Sequence, residues 1–94
     1  MQNDPSDLLT HLIGEVVVAD FRSSYVCFGT LVRVDHEFLE IKDADLHDFR
    51  DSQATREVYV YDSMRLGIRR NRARVLIKRD EVVAIAKLHD IAGD

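Results

Sequence analysis

The sequence predicts a mainly β domain: five strands in a small, strongly bent, open barrel, with a short N-terminal helix and a further helix in the long connection before the fourth strand. Three observations point there. From Gly14 to Ala44, β-branched or aromatic residues recur at nearly every second position, the period of a strand. Between Val26 and Val34 both faces of that run are largely apolar, so this strand is expected in the middle of a sheet, covered above and below. Gly29 falls inside the same strand, where a missing Cβ permits a sharp bend or a close approach of backbone.

The elements follow in order. Asn3 or Asp4 is placed to cap a short helix over residues 5–13, with Pro5 at its first position, Asp7 in its first turn and Leu8, Leu9, Leu12 and Ile13 at helical spacing. Gly14 ends it. The first strand is expected over about 15–21, a turn at Arg22-Ser23-Ser24, and the second strand over about 25–34. After the polar break Asp35-His36-Glu37, a third strand runs from Phe38 to Ala44 or beyond. In residues 45–72, Asp51-Ser52 supplies a cap, and Ala54, Val58, Tyr61 and Met64 or Arg65 recur at three- to four-residue spacing, with Gly67 as a stop. Glu57–Tyr61 also alternates like a strand, but the bounded length favours a helix. The fourth strand, about 73–78, turns at Arg79-Asp80-Glu81 into the fifth, about 82–88. Val82–Ala86 carries no charge, which leaves an apolar sheet edge able to pair with another chain.

At 94 residues, 46% apolar and 32% charged, the chain is expected to be one soluble domain, small enough that association is a natural way to bury more surface. No apolar run approaches the roughly 20 residues of a membrane span, and MQNDPSDLL lacks the order of a signal peptide, so a cytoplasmic location is expected. Cys27, the only cysteine, has no internal disulfide partner and reads as a small buried hydrophobe. The net charge of −4 conceals an asymmetry: residues 1–64 carry 13 acids and 5 bases, and residues 65–94 carry 8 bases and 4 acids. Arg65–Arg79 holds seven bases and no acid, a local field suited to an anionic partner.

Two segments carry a family resemblance. Gly29-Thr30-Leu31-Val32-Arg33-Val34-Asp35-His36-Glu37-Phe38 resembles the first motif of the Sm and Sm-like (LSm) RNA-binding proteins, and Val75–Ile85, VLIKRDEVVAI, resembles their second. The two occur in the family's order, and the wider motifs they belong to, residues 15–44 and 73–88, cover roughly half the chain. The resemblance implies an SH3-type barrel with residues 15–44 as the first motif, 45–72 as a variable insertion and 73–88 as the second motif. It also implies a ring of about five to seven subunits joined edge to edge. Around the central hole, one base per subunit would stack between a side chain of the Asp35–Leu39 loop and the basic residue of the Lys78–Asp80 loop. By position these are Phe38 and Lys78, with Asp35 orienting the loop and His36 beside it. Two positions depart from the motifs: Leu39 stands where a base-reading asparagine is expected, and Arg79 where a glycine is. Without the asparagine, uridine selectivity is not expected. Another SH3-like barrel or an oligonucleotide-binding barrel is the alternative fold.

Catalysis finds no support in the residues: there is no Ser/His/Asp or Cys/His arrangement and no Gly-rich phosphate loop, and the four histidines are scattered. Neither an enzyme activity nor a cofactor is expected. Asp43, Asp45 and His47 would share one face of a strand and could hold a divalent metal, but a solvated acidic face is the expectation and no metal site is assigned. Tyr59 and Tyr61 are expected to pack with their hydroxyls at the surface. The expected function is therefore a homo-oligomeric ring that binds single-stranded RNA or DNA with little sequence preference. Bases would stack at Phe38 and Lys78, with phosphate contacts from Arg69, Arg70, Arg72, Arg74 and Arg79. The alternative is a structural ring that has lost the base pocket and binds an acidic protein, with Phe38 as a core residue.

Overall fold

A computed structural model of the chain describes residues 7–51 and 55–91. Its regular elements are β1 (Val16–Phe21), β2 (Tyr25–Val34), β3 (Phe38–Asp48), the helix α1 (Arg56–Leu66), β4 (Arg72–Lys78) and β5 (Val82–Lys87). Short 3-10 turns lie at Leu8–Leu12, Phe49–Asp51, Arg79–Glu81 and Leu88–Asp90. Every strand pair is antiparallel, and the order β4-β3-β2-β1-β5 leaves β4 and β5 at the two ends of the sheet. The five strands lie where the alternation places them, with β3 running on to Asp48.

Alternation along the strands divides their side chains between two cores. One gathers Val17, Cys27, Leu31, Val34, Leu39, Ile41, Ala44 and Ile77, with Val82 and Ile85 of β5 packed against them. Side chains from all five strands meet there because the sheet curls around them. The other joins Val18, Val26 and Phe28 to Tyr59 and Val60 of α1 and to Leu88. β1 and β2 are thus covered on both faces, which accounts for their unbroken apolar sequence. Cys27 is fully buried, and its thiol is pushed up to about 12 by burial first and by the charge of Asp45 second, so it stays protonated and inert.

The curl is concentrated at Gly29. Phe28 pairs with Asp45 and Thr30 with Lys42, so Gly29 faces both Asp43 and Ala44, in a bulge where Asp43 takes φ 50°. A Cβ on Gly29 would lie 2.5 Å from Ile41 Cγ2, 2.8 Å from the Lys42 carbonyl oxygen and 3.1 Å from Ala44 Cα. Further register shifts at Leu31/Arg33 and Asp20/Phe21 increase the local twist.

Both helical expectations need correction in detail. The N-terminal segment is a five-residue 3-10 helix, Leu8–Leu12, capped by Asp7, whose Oδ1 accepts a 3.0 Å bond from the Leu9 N–H. Asn3, Asp4 and Pro5 lie outside the described residues. Three residues per turn align Leu9 with Leu12 over the core and leave Leu8 81% exposed. The predicted second helix is present, but Thr55 caps it through a 3.2 Å bond accepted from the Val58 N–H, and Asp51 belongs to the preceding 3-10 turn. Its inward face is Tyr59, Val60 and Ser63, while Val58 is exposed. Gly67 ends it at φ 100°.

Gly29→Ala is expected to destabilise the fold by about 1–3 kcal/mol, the usual cost of forcing atoms into a packed site. The nearest atoms include backbone that cannot swing aside. A lower urea midpoint with an unchanged slope would register this, and an unchanged midpoint would contradict it.

Candidate nucleic-acid interface

The turn between β2 and β3 is built by Asp35. Its Oδ1 accepts from the Glu37 N–H at 2.8 Å and the Phe38 N–H at 2.6 Å, and its own N–H donates to the Phe38 carbonyl at 3.0 Å. These backbone donors hold the Asp35 carboxyl below its ordinary 3.8. His36 is at the tip of the turn with its side chain 89% exposed, 3.6 Å from the Glu37 carboxylate.

Phe38 and Leu39, adjacent in sequence, have opposite environments. Leu39 is fully buried in the first core. Phe38 is half-buried, outside both cores, and lines a cleft of about 100 Å³ with Arg33, Asp35, Glu40 and Leu76. Lys78 is its register partner on β4, so the two side chains lie next to each other on the outward face, with Lys78 exposed.

Arg79 fastens the two loops together. Its N–H donates to the Glu37 carbonyl at 2.8 Å, its Nη1 to the Asp35 carbonyl at 2.9 Å and its Nη2 to Asp7 Oδ2 at 2.7 Å. The last contact holds the Asp7 carboxyl low and joins the N-terminal turn to both loops. Among the described residues Asp43 is the one non-glycine at positive φ, so the 3-10 turn Arg79–Glu81 needs no glycine at Arg79.

Arg69, Arg70 and Arg72 lie apart from Phe38 and Lys78. Arg72, at the start of β4, is six residues from Lys78, about 20 Å along the strand. Arg69 rests over the Tyr59 ring at 5.8 Å, Arg70 pairs with Asp43 at 2.9 Å, and Arg72 donates to the Asn71 carbonyl at 3.1 Å. Arg74 pairs with Glu40 at 2.6 Å. Sequence reasoning passed over Glu40 and its second partner Arg33, 2.6 Å away. The signal was there: on β3, alternation from Leu39 and Ile41 inward puts Glu40 outward, opposite Arg33 on β2.

Asp43, Asp45 and His47 share neither a common face nor a solvated one. The bulge at Asp43 breaks the alternation, and Asp43 faces out to Arg70. Asp45 is 2% exposed and accepts from the Tyr59 hydroxyl at 2.5 Å and from Asn71 Nδ2 at 3.1 Å. His47 stacks on Tyr59, ring centroids 4.0 Å apart. Burial first, then the bond to Asp45, pushes the Tyr59 hydroxyl up. Tyr59 therefore pins α1 to β3, in place of the surface hydroxyl expected. Among the described residues no group of three or more His, Cys, Asp or Glu side chains is arranged to hold a metal.

Asp7, Asp35 and Glu40 all have carboxyls held below their ordinary values of 3.8, 3.8 and 4.5. A depressed folded-state value stabilises the fold above the unfolded value and is lost as pH falls through the folded one. The melting temperature is therefore expected to hold steady down to about pH 5 and to decline modestly below about pH 4, water screening these partly exposed carboxylates. Asp35→Asn, which keeps the Oδ1 acceptor, should shrink that acid-dependent fall; an identical pH profile would remove Asp35 from the account.

A scan of protein-family models finds no match to this sequence, and a search of curated proteins finds none either. Solved structures do match. The Sm protein of Pyrococcus abyssii in complex with a uridine heptamer is 16% identical, with a TM-score of 0.59 over 90% of this chain and 99% of that one. An Sm-like protein from Archaeoglobus fulgidus is 13% identical, with a TM-score of 0.58 over 93% of this chain and 97% of that one. A chain of the NatC complex bound to CoA is 17% identical, with a TM-score of 0.54 over 90% of this chain and 86% of that one. At such identities the likeness is one of architecture. Five antiparallel strands, bent at Gly29, preceded by a 3-10 turn and left open between β4 and β5, constitute an Sm-like fold.

Proposed function

We propose that the chain is one Sm-like domain that assembles into a homo-oligomeric ring and binds single-stranded RNA with little base preference, serving RNA processing in the cytoplasm without chemistry of its own. The observation that carries this reading is the pair Phe38 and Lys78: an aromatic ring outside both cores beside an exposed cation, at a cleft, on two loops fastened together by Arg79. A flat ring and a cation suit an unpaired base and its phosphate. The uridine heptamer held by the Pyrococcus protein of like fold supports the choice of ligand. Assembly is supported by the two sheet ends, where Leu76 of β4 is 60% exposed and Val83 of β5 61% exposed. Pairing two different edges head to tail closes a ring, and about five to seven subunits is the expected size.

One set of observations favours the protein-interaction alternative. Leu39 is buried where a base-reading asparagine is expected, Arg79 is engaged by Asp7, and an Sm-like architecture also occurs in a chain of the NatC complex.

Light scattering at micromolar concentration should give a multiple of the subunit mass; a monomer would refute the ring. Anisotropy titration with labelled oligouridylate and oligoadenylate should give similar affinities with a steep salt dependence, and oligodeoxythymidylate shows whether DNA is bound as well. Phe38→Ala should weaken RNA binding by roughly 1–3 kcal/mol per stacked base at wild-type mass and melting temperature. Leu39→Ala should instead cost about 2–5 kcal/mol of stability. Phe38→Ala binding RNA like the wild type would favour the protein-interaction ring.

A further inference from the structure

We infer that the furrow on the outward face of β2, β3 and β4 is a phosphate subsite, where Arg33 and Arg74 take a phosphodiester of the strand whose neighbouring base stacks on Phe38. The inference rests on the RNA reading above and adds to it a site away from the loops.

The furrow consists of two clefts, of about 100 and 200 Å³, that share Arg33, Glu40 and Leu76. It runs from Phe38 and Asp35 at one end to Arg74 at the other. Glu40 is its organising residue. Its side chain is 9% exposed and lies between two guanidiniums: Oε1 accepts from Arg33 Nε at 2.7 Å and Nη2 at 2.6 Å, and Oε2 accepts from Arg74 Nη1 at 2.6 Å. Both arginines remain more than half exposed, at 70% and 55%. A guanidinium has five N–H donors, so a single carboxylate shared by two leaves most of them open to solvent.

Those remaining donors are already oriented. Long side chains lose rotamer freedom when they bind, and here the carboxylate has restricted them beforehand, leaving a fork suited to a phosphate. Charge supports the same ligand. Lys42 is the register partner of Arg74 and Lys78 that of Phe38, so the face carries four cations against the carboxylates of Glu40 and Asp35. Phe38 and Glu40 are two residues apart on one face of β3, about 7 Å, so a base on the ring and a phosphate at the arginines can belong to adjacent nucleotides.

The test is anisotropy titration of a labelled 12-residue oligouridylate at two salt concentrations, with light scattering on every variant. Arg33→Gln and Arg74→Gln should each weaken binding several-fold at wild-type mass and make the salt slope shallower by up to about 0.7, the whole of the one phosphate contact that they share on a single strand. Lys87→Gln, the same loss of charge on β5, should leave affinity unchanged. Glu40→Gln separates an ordered subsite from a diffuse field: it makes the face more positive yet should weaken binding, because the two guanidiniums lose the charge that holds them. Tighter binding by Glu40→Gln overturns the subsite. If Glu40→Gln melts early, the two arginine variants decide. Arginine variants that bind like the wild type while Phe38→Ala binds weakly overturn the subsite and leave the RNA reading standing. A wild type that binds no oligonucleotide overturns both, and an arginine variant that loses the wild-type mass assigns the furrow to the contact between subunits.

Discussion

β2 and β3 approach each other closely at Gly29, where an added Cβ would lie 2.5 Å from Ile41 Cγ2. With no Cβ there, the Lys42 carbonyl and the Ala44 backbone come close enough for β3 to carry two residues against one. That local excess bends the sheet until residues from all five strands close on a single core. The bend has a second consequence. The opposite face of β1 and β2 still presents Val18, Val26 and Phe28, and this surface requires a cover. The long connection before β4 supplies it as α1, held down by the Tyr59 hydroxyl on buried Asp45 and by Asn71, which donates to Asp45 and to the Leu46 carbonyl. The missing Cβ at Gly29, with the register shifts at Leu31/Arg33 and Asp20/Phe21, thus underlies the curl, and the curl in turn the two cores and what the insertion has to do.

Charge is arranged by the same register. Acids concentrated in the first two thirds of the chain meet bases concentrated in the last third across neighbouring strands and loops: Glu40 with Arg74, Asp43 with Arg70, Asp7 with Arg79. The positive surface is therefore weaker than seven bases between Arg65 and Arg79 suggest. Such partly exposed pairs add little to stability, because water and salt screen them. Their effect is geometric. Arg79 ties the β2–β3 loop, the β4–β5 turn and the N-terminal 3-10 turn into one rigid corner, and Glu40 orders two guanidiniums on the outward face.

These two arrangements position whatever the surface binds. Asp35 sets the turn through backbone N–H groups, and strand register brings Lys78 beside Phe38. Neither side chain is anchored in a core, so both remain available while the frame beneath them, Leu39, Ile41 and Ile77, is closely packed. A rigid frame under exposed stacking and charged groups keeps the entropy cost of binding low.

The strands, the bend and the existence of α1 were legible in the sequence. Strand alternation, a glycine amid apolar residues and a helix stop at Gly67 are local signals, readable without knowing what each residue touches. The outward placement of Glu40 and Arg33 was passed over, although alternation along β2 and β3 carries the signal. The remaining features depend on residues far apart in the chain. Phe38 and Leu39 are both apolar, and only the packing against β4 and the core leaves the first accessible and the second buried. Asp45 was expected in solvent and is buried because the bulge at Asp43 rephases β3 and brings it under Tyr59, 14 residues on. Arg79, read as an extra charge in a turn, is a structural tie because the fold carries Asp7 to it across 72 residues. Periodicity reports which way a strand faces; it carries no information about which distant charge will lie opposite, and at those places the register of the folded sheet made the choice.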